Sequence, residues 1–188
     1  MPIRNNRDQW GSVSIALHWL VFLLIVGMAT AGLLMVEMEN SPTKIQVYAL
    51  HKSFGLTVLG LTALRLLWRV AVGTPRPVRG TPMWQDALAR MVHGAMYVLM
   101  LAVPISGWWF NSAAGFPLRW FGLVHLPKLT TFDPAIKALA RETHENLFWL
   151  LAGLIFVHTL AALWHHYRLK DRTLVRMLPW LKPANRGL

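Results

Sequence analysis

The chain has 188 residues, of which 55% are hydrophobic and 14% are charged, and its formal net charge is +11 at pH 7. Soluble domains carry about 25% charged residues, so this composition indicates an integral membrane protein. Beside long apolar segments, the excess of basic residues indicates contact with anionic lipid and not with nucleic acid. The absence of cysteine excludes disulfides, thiolate-bound iron–sulfur clusters and c-type haem.

Four apolar segments are long enough to cross a bilayer, which takes about 20 helical residues. They predict helices at Ser14–Val36, Ile45–Val72, Asp86–Phe110 and Glu142–His165. The first is too long for the apolar part of a cleaved signal peptide, so we expect it to remain in the mature protein. In the long third connection, Asp133-Pro134 predicts a short helix around Pro134–Arg141. The expected fold is all-α, an up-down four-helix membrane bundle that forms one domain over residues 1–188.

The basic residues are divided unevenly between the two sides of this predicted bundle. Thirteen belong to the side that holds the termini: Arg4, Arg7, Arg65, Arg69, Arg76, Arg79, Arg90, Arg168, Lys170, Arg172, Arg176, Lys182 and Arg186. Six belong to the opposite side: Lys44, Lys52, Arg119, Lys128, Lys137 and Arg141. The positive-inside rule therefore predicts that both termini lie in the cytoplasm.

Histidines within the predicted helices occur at matched depths. His144 and His158 are 14 residues apart, which gives about 21 Å of rise and nearly four whole turns, so both face one side of the fourth helix. Up-down topology places His18 at the depth of His158, and His51 at the depth of His144. A histidine pair across a four-helix bundle commonly holds haem b. Two haems about 20 Å apart would form an electron path across the membrane.

Other interpretations of these histidines stay open. A histidine inside the membrane can also be a hydrogen-bonded core residue or a member of a proton relay. Zinc is less suitable, because it prefers three or four ligands and only Glu142 and Glu145 lie near the histidines. The small residues Ser14, Gly55 and Gly153 could admit a porphyrin or allow close helix packing equally well.

Several motifs together resemble bacterial cytochrome b561. They are His18-Trp19, His51-Lys52-Ser53, the run from His93 through Tyr97 to Pro104 and Gly107, His144-Glu145, and the tail from His158 through His165-His166-Tyr167 to Asp171, Leu174, Arg176, Met177 and Pro179. The resemblance places the family's four haem ligands on His18, His51, His144 and His158. It implies a bacterial inner-membrane superoxide oxidase, which oxidises superoxide at the periplasmic face and passes electrons through two b haems to ubiquinone.

Two further groups of residues could serve this reaction. Superoxide is an anion, so its capture needs positive charge near the outer haem, and Lys52 and Arg141 lie close to proposed ligands in the sequence. Quinone reduction needs a proton donor beside an apolar slot, and the available side chains on the cytoplasmic side are His93, His165 and His166.

Two arginines near the cytoplasmic end of the second helix, Arg65 and Arg69, are one turn apart. They could pair with haem propionates or reach lipid phosphates, and the sequence does not separate these roles.

The sequence thus predicts a dihaem oxidoreductase whose partners are lipid, superoxide and ubiquinone. Related dihaem subunits anchor dehydrogenases and hydrogenases, so an electron-relay subunit with a further partner subunit is the first alternative. A haem-free transporter or structural bundle is the second. The quinone type, the reduction potentials and the oligomeric state cannot be predicted from these patterns.

Overall fold

In a computed structural model, residues 2–78 and 80–181 are described. The elements in chain order are α1 (Ser12–Glu37), α2 (Pro42–Val72), α3 (Met83–Ala113), β1 (Leu118–Trp120), β2 (Val124–Leu126) and α4 (Pro134–Tyr167). All four helices are long and apolar enough to cross a membrane. The predicted all-α four-helix membrane bundle is therefore confirmed. Three basic residues of the orientation argument, Arg79, Lys182 and Arg186, lie outside the described residues.

The helices are longer than predicted, most of all α4, which begins at Pro134 and not at Glu142. The Asp133 carboxylate accepts hydrogen bonds from the backbone N–H groups of Ala135 and Ile136, and proline is well suited to the first helical position. The short helix expected around Pro134–Arg141 is therefore the beginning of α4, because no breaker follows it. At α2, the Ser41 side chain caps the helix in the same way by accepting from the Lys44 N–H group.

The helices pack in chain order, with α1 against α2, α2 against α3 and α3 against α4. By contrast, no Cα atom of α4 lies within 8 Å of a Cα atom of α1 or α2, and all residues of these helices are described. Helices in direct contact have axes about 8–10 Å apart, so α4 is held away from α1 and α2. Near the middle of the bundle, the side chains of Val21, Leu99, Met100 and Leu151 form an apolar core.

One end of the bundle, which we call the terminal end, is covered by residues 2–11, residues 168–181 and the described part of the α2–α3 connection. Asn5 donates to the carbonyl of Gly73 at 2.7 Å, and the indole N–H of Trp19 donates to the carbonyl of Met177 at 2.8 Å. Arg176 donates to the carbonyl of Arg76. The segments before α1 and after α4 are thus tied to the helices and to each other.

The opposite end, which we call the loop end, carries an antiparallel hairpin of β1 and β2. The hairpin turns at Phe121 and Gly122, whose φ angles are 48° and 75°. The sequence analysis did not predict it, because the strands have only three residues each and the turn lacks the usual Asn-Gly or Asp-Gly signal.

Candidate functional site

At the loop end, His51 of α2 and His144 of α4 face each other across the gap between their helices. Their ring centroids are 6.4 Å apart. The neighbouring helices carry glycine at this level: a Cβ atom on Gly32 would lie 3.1 Å from Cε1 of His51, and one on Gly107 would lie 3.1 Å from Cε1 of His144. A residue larger than glycine at position 32 or 107 would therefore reduce the space of the facing imidazole.

Hydrogen bonds fix the orientation of the His144 ring. Its Nδ1 lies 2.9 Å from the carbonyl oxygen of Val103 and 3.0 Å from the hydroxyl of Ser106. Because that hydroxyl also donates to the Val103 carbonyl, the Nδ1–H group of His144 is the natural donor to this carbonyl. The lone pair is then on Nε2, the arrangement that metal-binding histidines usually show. The buried Nδ1 of His51 has no hydrogen-bond partner among the described residues.

At the terminal end, His18 of α1 and His158 of α4 form a second pair. Their ring centroids are also 6.4 Å apart. His93 of α3 packs against His158 at a centroid distance of 5.2 Å. A residue predicted to protonate quinone thus lies beside the inner predicted haem pair.

Arginine and tyrosine side chains surround this second pair. Arg65 places Nη2 2.8 Å from Nδ1 of His18, and because a guanidinium only donates, the histidine nitrogen is the acceptor. Arg65 and Arg69 both stack over the ring of Tyr97, at 5.3 and 5.6 Å from its centroid. The sequence analysis assigned no role to Tyr97, although it lies four residues after His93 on the same helix face.

The spacing of both pairs fits a single metal ion bound between two imidazoles. At a metal–nitrogen distance of about 2.0 Å, two rings on opposite sides of a metal have centres roughly 6.3–6.4 Å apart. Within residues 2–78 and 80–181, no group of three or more His, Cys, Asp or Glu side chains is arranged to hold a metal. Two-imidazole sites beside a wide interhelical gap suit haem, whose macrocycle supplies the other four ligands.

The glycine at position 107 gives a direct test of this fit. Gly107→Val should weaken haem binding at the loop end by about 10–100-fold, because the new side chain displaces His144 from its hydrogen bonds. The haem content of the purified protein, measured from its absorbance, reports the loss. Gly94→Val is the matched control on the same helix, since a Cβ atom there meets no described atom within 4 Å. Equal haem content in the two variants would contradict the fit.

The cationic residues at the loop end differ in the groups that they contact. Lys52 donates to the buried side chain of Asn111 at 3.2 Å, and with Arg119 and Ser53 it lines a cavity of about 400 Å³. Arg141 does not line this cavity: it forms an ion pair with Glu145, with Nε and Oε1 2.7 Å apart, and both side chains are more than half exposed. The sequence alone did not single out Arg119 for the capture of superoxide.

At the terminal end, His165 contacts a carboxylate in the segment after α4. Its Nδ1 lies 2.5 Å from Oδ2 of Asp171, and both side chains are largely buried. Burial raises the pKa of the Asp171 carboxyl, but hydrogen bonds from His165 and Thr173 outweigh this effect and bring it below its ordinary value. His166 is buried beside Tyr167, and its Nδ1 has no partner within the described part of the chain.

Sequence comparisons agree with this architecture. Cytochrome b561 homolog 2 of Escherichia coli strain K12 is 34% identical over 179 residues, which are 95% of each chain. The probable superoxide oxidase CybB of Yersinia pestis is 31% identical over 176 residues, 92% of this chain and 97% of that protein. Cytochrome b562 of Cereibacter sphaeroides is 33% identical over 172 residues, 88% and 92% of the two chains. The profile of the prokaryotic cytochrome b561 family matches residues 9–180, and the chain therefore belongs to this family of membrane electron-transfer proteins.

Proposed function

We propose that the protein binds two b haems, one in each histidine pair, and transfers electrons from superoxide to ubiquinone. The observation that carries the proposal is the equal 6.4 Å spacing of two histidine pairs in one gap, at opposite ends of the bundle. Two superoxide anions would each lose one electron and leave as oxygen. One ubiquinone would take up these two electrons and two protons to become ubiquinol.

The residues that would hold the haems follow from the geometry described above. His51 and His144 would hold one, and His18 and His158 the other. When bound, the haems would supply one-electron redox chemistry at both ends of the bundle. Arg65 and Arg69 are suited to pair with propionates, because both stack on Tyr97 beside His18, and Arg65 must leave Nδ1 of His18 before Nε2 of that ring can bind a metal.

Superoxide would be attracted at the loop end. Lys52 and Arg119 line one cavity and form no ion pair within residues 2–78 and 80–181, so their positive charges would add on the side of α2 from which His51 comes. Arg141 remains a predicted participant, but its charge is offset by Glu145. The relative from Yersinia pestis, which bears the name probable superoxide oxidase, supports superoxide as the donor.

Ubiquinone would bind at the terminal end. His165 is held by Asp171, an arrangement that keeps an imidazole in one orientation for proton transfer. Next to it in the chain, Leu160, Leu163, Trp164, Tyr167 and Arg168 line a shallow apolar recess of about 520 Å³. His93 and His166 remain further candidates for proton donation, His93 because of its contact with His158.

The role of Asp171 can be tested by Asp171→Asn. We expect ubiquinol formation to slow about tenfold or more, because the amide does not stabilise a protonated His165. Reduction of the haems by superoxide should continue at the wild-type rate, since Asp171 is at the other end of the bundle. Asp133→Asn is a suitable control because asparagine also caps a helix well. An unchanged rate of ubiquinol formation would remove this dyad from the proposal.

The proposed reaction requires the loop end to face the periplasm of a bacterial inner membrane. The excess of basic residues at the terminal end supports this orientation. A reporter enzyme that is active only in the periplasm should therefore be inactive when it is fused after Leu188. The same reporter inserted after Asn40, in the α1–α2 connection, should be active. An active fusion after Leu188 with an inactive insertion after Asn40 would place the terminal end, and not the loop end, in the periplasm.

The whole proposal is tested by mixing the purified haem-loaded protein with enzymatically generated superoxide and ubiquinone. We expect haem reduction followed by ubiquinol formation, at one ubiquinol for two superoxide anions consumed. A protein that binds two haems but is not reduced by superoxide would instead be an electron-relay subunit with another donor. A colourless protein reconstituted with haem in excess would contradict the haem assignment itself.

A further inference from the structure

The tip of the β1–β2 hairpin has an unusual residue for its backbone conformation. Phe121 and Gly122 both have positive φ, and the N–H group of Leu123 donates to the carbonyl of Trp120 at 2.9 Å. This is the pattern of a type I′ turn, in which Asn or Asp usually precedes glycine. A bulky aromatic residue is strained at such a position. Contacts of the Phe121 side chain, which an asparagine would not make, must therefore offset this strain.

The surroundings of the tip are on α2. The N–H group of Phe121 donates to the hydroxyl of Ser53 at 3.0 Å, and its ring packs edge-to-face on Phe54 at 5.0 Å. The indole N–H of Trp120 donates to the hydroxyl of Thr57 at 3.0 Å. The turn is thus fixed to one side of α2 by two hydrogen bonds and one aromatic contact.

These contacts lie where α2 changes from a charged to an uncharged sequence. Lys52 is the last charged residue from the loop end, and the next is Arg65. Ser53 follows Lys52 directly, and Thr57 lies about 6 Å further along the helix. An indole whose N–H is bonded at such a boundary is typical of the membrane interface.

The hairpin is apolar at its tip and polar at the strand pair next to the tip. Residues 120–124 read Trp-Phe-Gly-Leu-Val and contain no charge, and Leu123 is 79% exposed and Val124 52% exposed. The next pair toward the base is Arg119 opposite His125. The exposed tip adjoins exposed apolar side chains of α2, because Phe121 packs on Phe54 and lines a cavity with Leu50.

We propose that the hairpin tip, Trp120–Val124, inserts into the membrane leaflet at the loop end and contacts lipid acyl chains. The strands themselves stay in the interface, because their free backbone edges cannot be satisfied in hydrocarbon. Arg119 and His125 are then at the level of the headgroups and water. The strain at Phe121 is offset because its ring packs on Phe54 and the turn presents Leu123 and Val124 to the lipid.

Because the chain has no cysteine, a single Leu123→Cys substitution allows one nitroxide label to be placed at the tip. The haem-loaded protein is incorporated into vesicles of phosphatidylethanolamine and phosphatidylglycerol. Collision of the label with oxygen, which concentrates in the membrane, is compared with collision with a water-soluble nickel complex. Val98→Cys, at an exposed apolar position in the middle of α3, is the membrane reference, and His125→Cys is the reference for the polar strand pair.

We expect the label at Leu123 to resemble the label at Val98, and the label at His125 to favour the nickel complex. A Leu123 label that is open to nickel would place the tip in water and overturn the proposal. A label protected from both reagents would also overturn it, since protein and not lipid would then cover the tip. Val124→Cys provides a second position if Leu123→Cys does not fold, as judged by its haem spectrum.

Discussion

Replacement of His51 or of His144 by alanine should remove the same haem, and replacement of His18 or of His158 should remove the other. Each pair spans a gap in which the Cα atoms of the two helices do not approach within 8 Å, so a remaining single histidine would lack its partner across the gap. The wild-type protein should contain two haems per chain, and each single variant one. Pyridine extraction of the haem, together with the protein concentration, measures this ratio.

His125→Ala and His93→Ala are the informative controls for this experiment. His125 is exposed on β2, far along the chain from any proposed ligand, and its replacement should leave both haems. His93 is 5.2 Å from His158 by ring centroids, which is too close for two ligands on opposite sides of one metal. His93→Ala should therefore also keep two haems. Loss of the same haem in His93→Ala and His18→Ala, with His158→Ala unaffected, would reassign the inner pair.

The histidine pairs could be predicted from the sequence because helix geometry fixes both depth and direction. Fourteen residues on one helix determine the rise and the rotation between His144 and His158, and up-down topology then brings His18 and His51 to the same two levels. Helix geometry does not give the width of the gap between α4 and the helices α1 and α2. The separation of α4 from α1 and α2 depends on how all side chains of the bundle pack, which no single spacing encodes.

The role of Arg141 was difficult to judge because the start of α4 was predicted too late. With the membrane helix beginning at Glu142, Arg141 ends a separate short helix in the third connection, and its pairing with Glu145 is not visible. With the helix beginning at Pro134, Arg141 and Glu145 are four residues apart on one helical face and form an ion pair. The cap at Asp133 and the proline after it can be identified in the sequence. A continuous α4 also requires that the polar residues between Pro134 and the predicted membrane segment be helical.

Arg119 could not be assigned from the sequence for a different reason. Its place beside Lys52 depends on the β1–β2 hairpin folding back onto α2, through contacts between residues more than 60 positions apart. The hairpin has short strands and an atypical turn, so local patterns carry little information about it. The pair of His165 and Asp171 is closer in sequence, but its geometry depends on where α4 ends.

The double variant Lys52→Gln and Arg119→Gln should be reduced by superoxide about tenfold more slowly than the wild type. The two cations line one cavity, whose α2 residues flank His51 in the chain, and fields of this kind raise the encounter rate of a small anion by about 10–1,000-fold. Stopped-flow absorbance of the haem measures the second-order rate. The wild-type rate should fall as salt rises, because charges are screened beyond about 8 Å at physiological ionic strength, and the rate of the variant should depend less on salt.

Two comparisons separate this steering from other effects of the substitutions. Arg141→Gln should change the rate much less, because the charge of Arg141 is already offset by Glu145 at an exposed site. Reduction of the double variant by an uncharged artificial donor should be as fast as that of the wild type, since a neutral molecule is not guided by the field. If Arg141→Gln lowers the rate of haem reduction by superoxide as much as the double variant does, superoxide approaches along α4 and not through the cavity of Lys52 and Arg119. If salt has no effect on the wild type, charge does not guide the donor at all, and the histidine pairs would still stand as the haem sites.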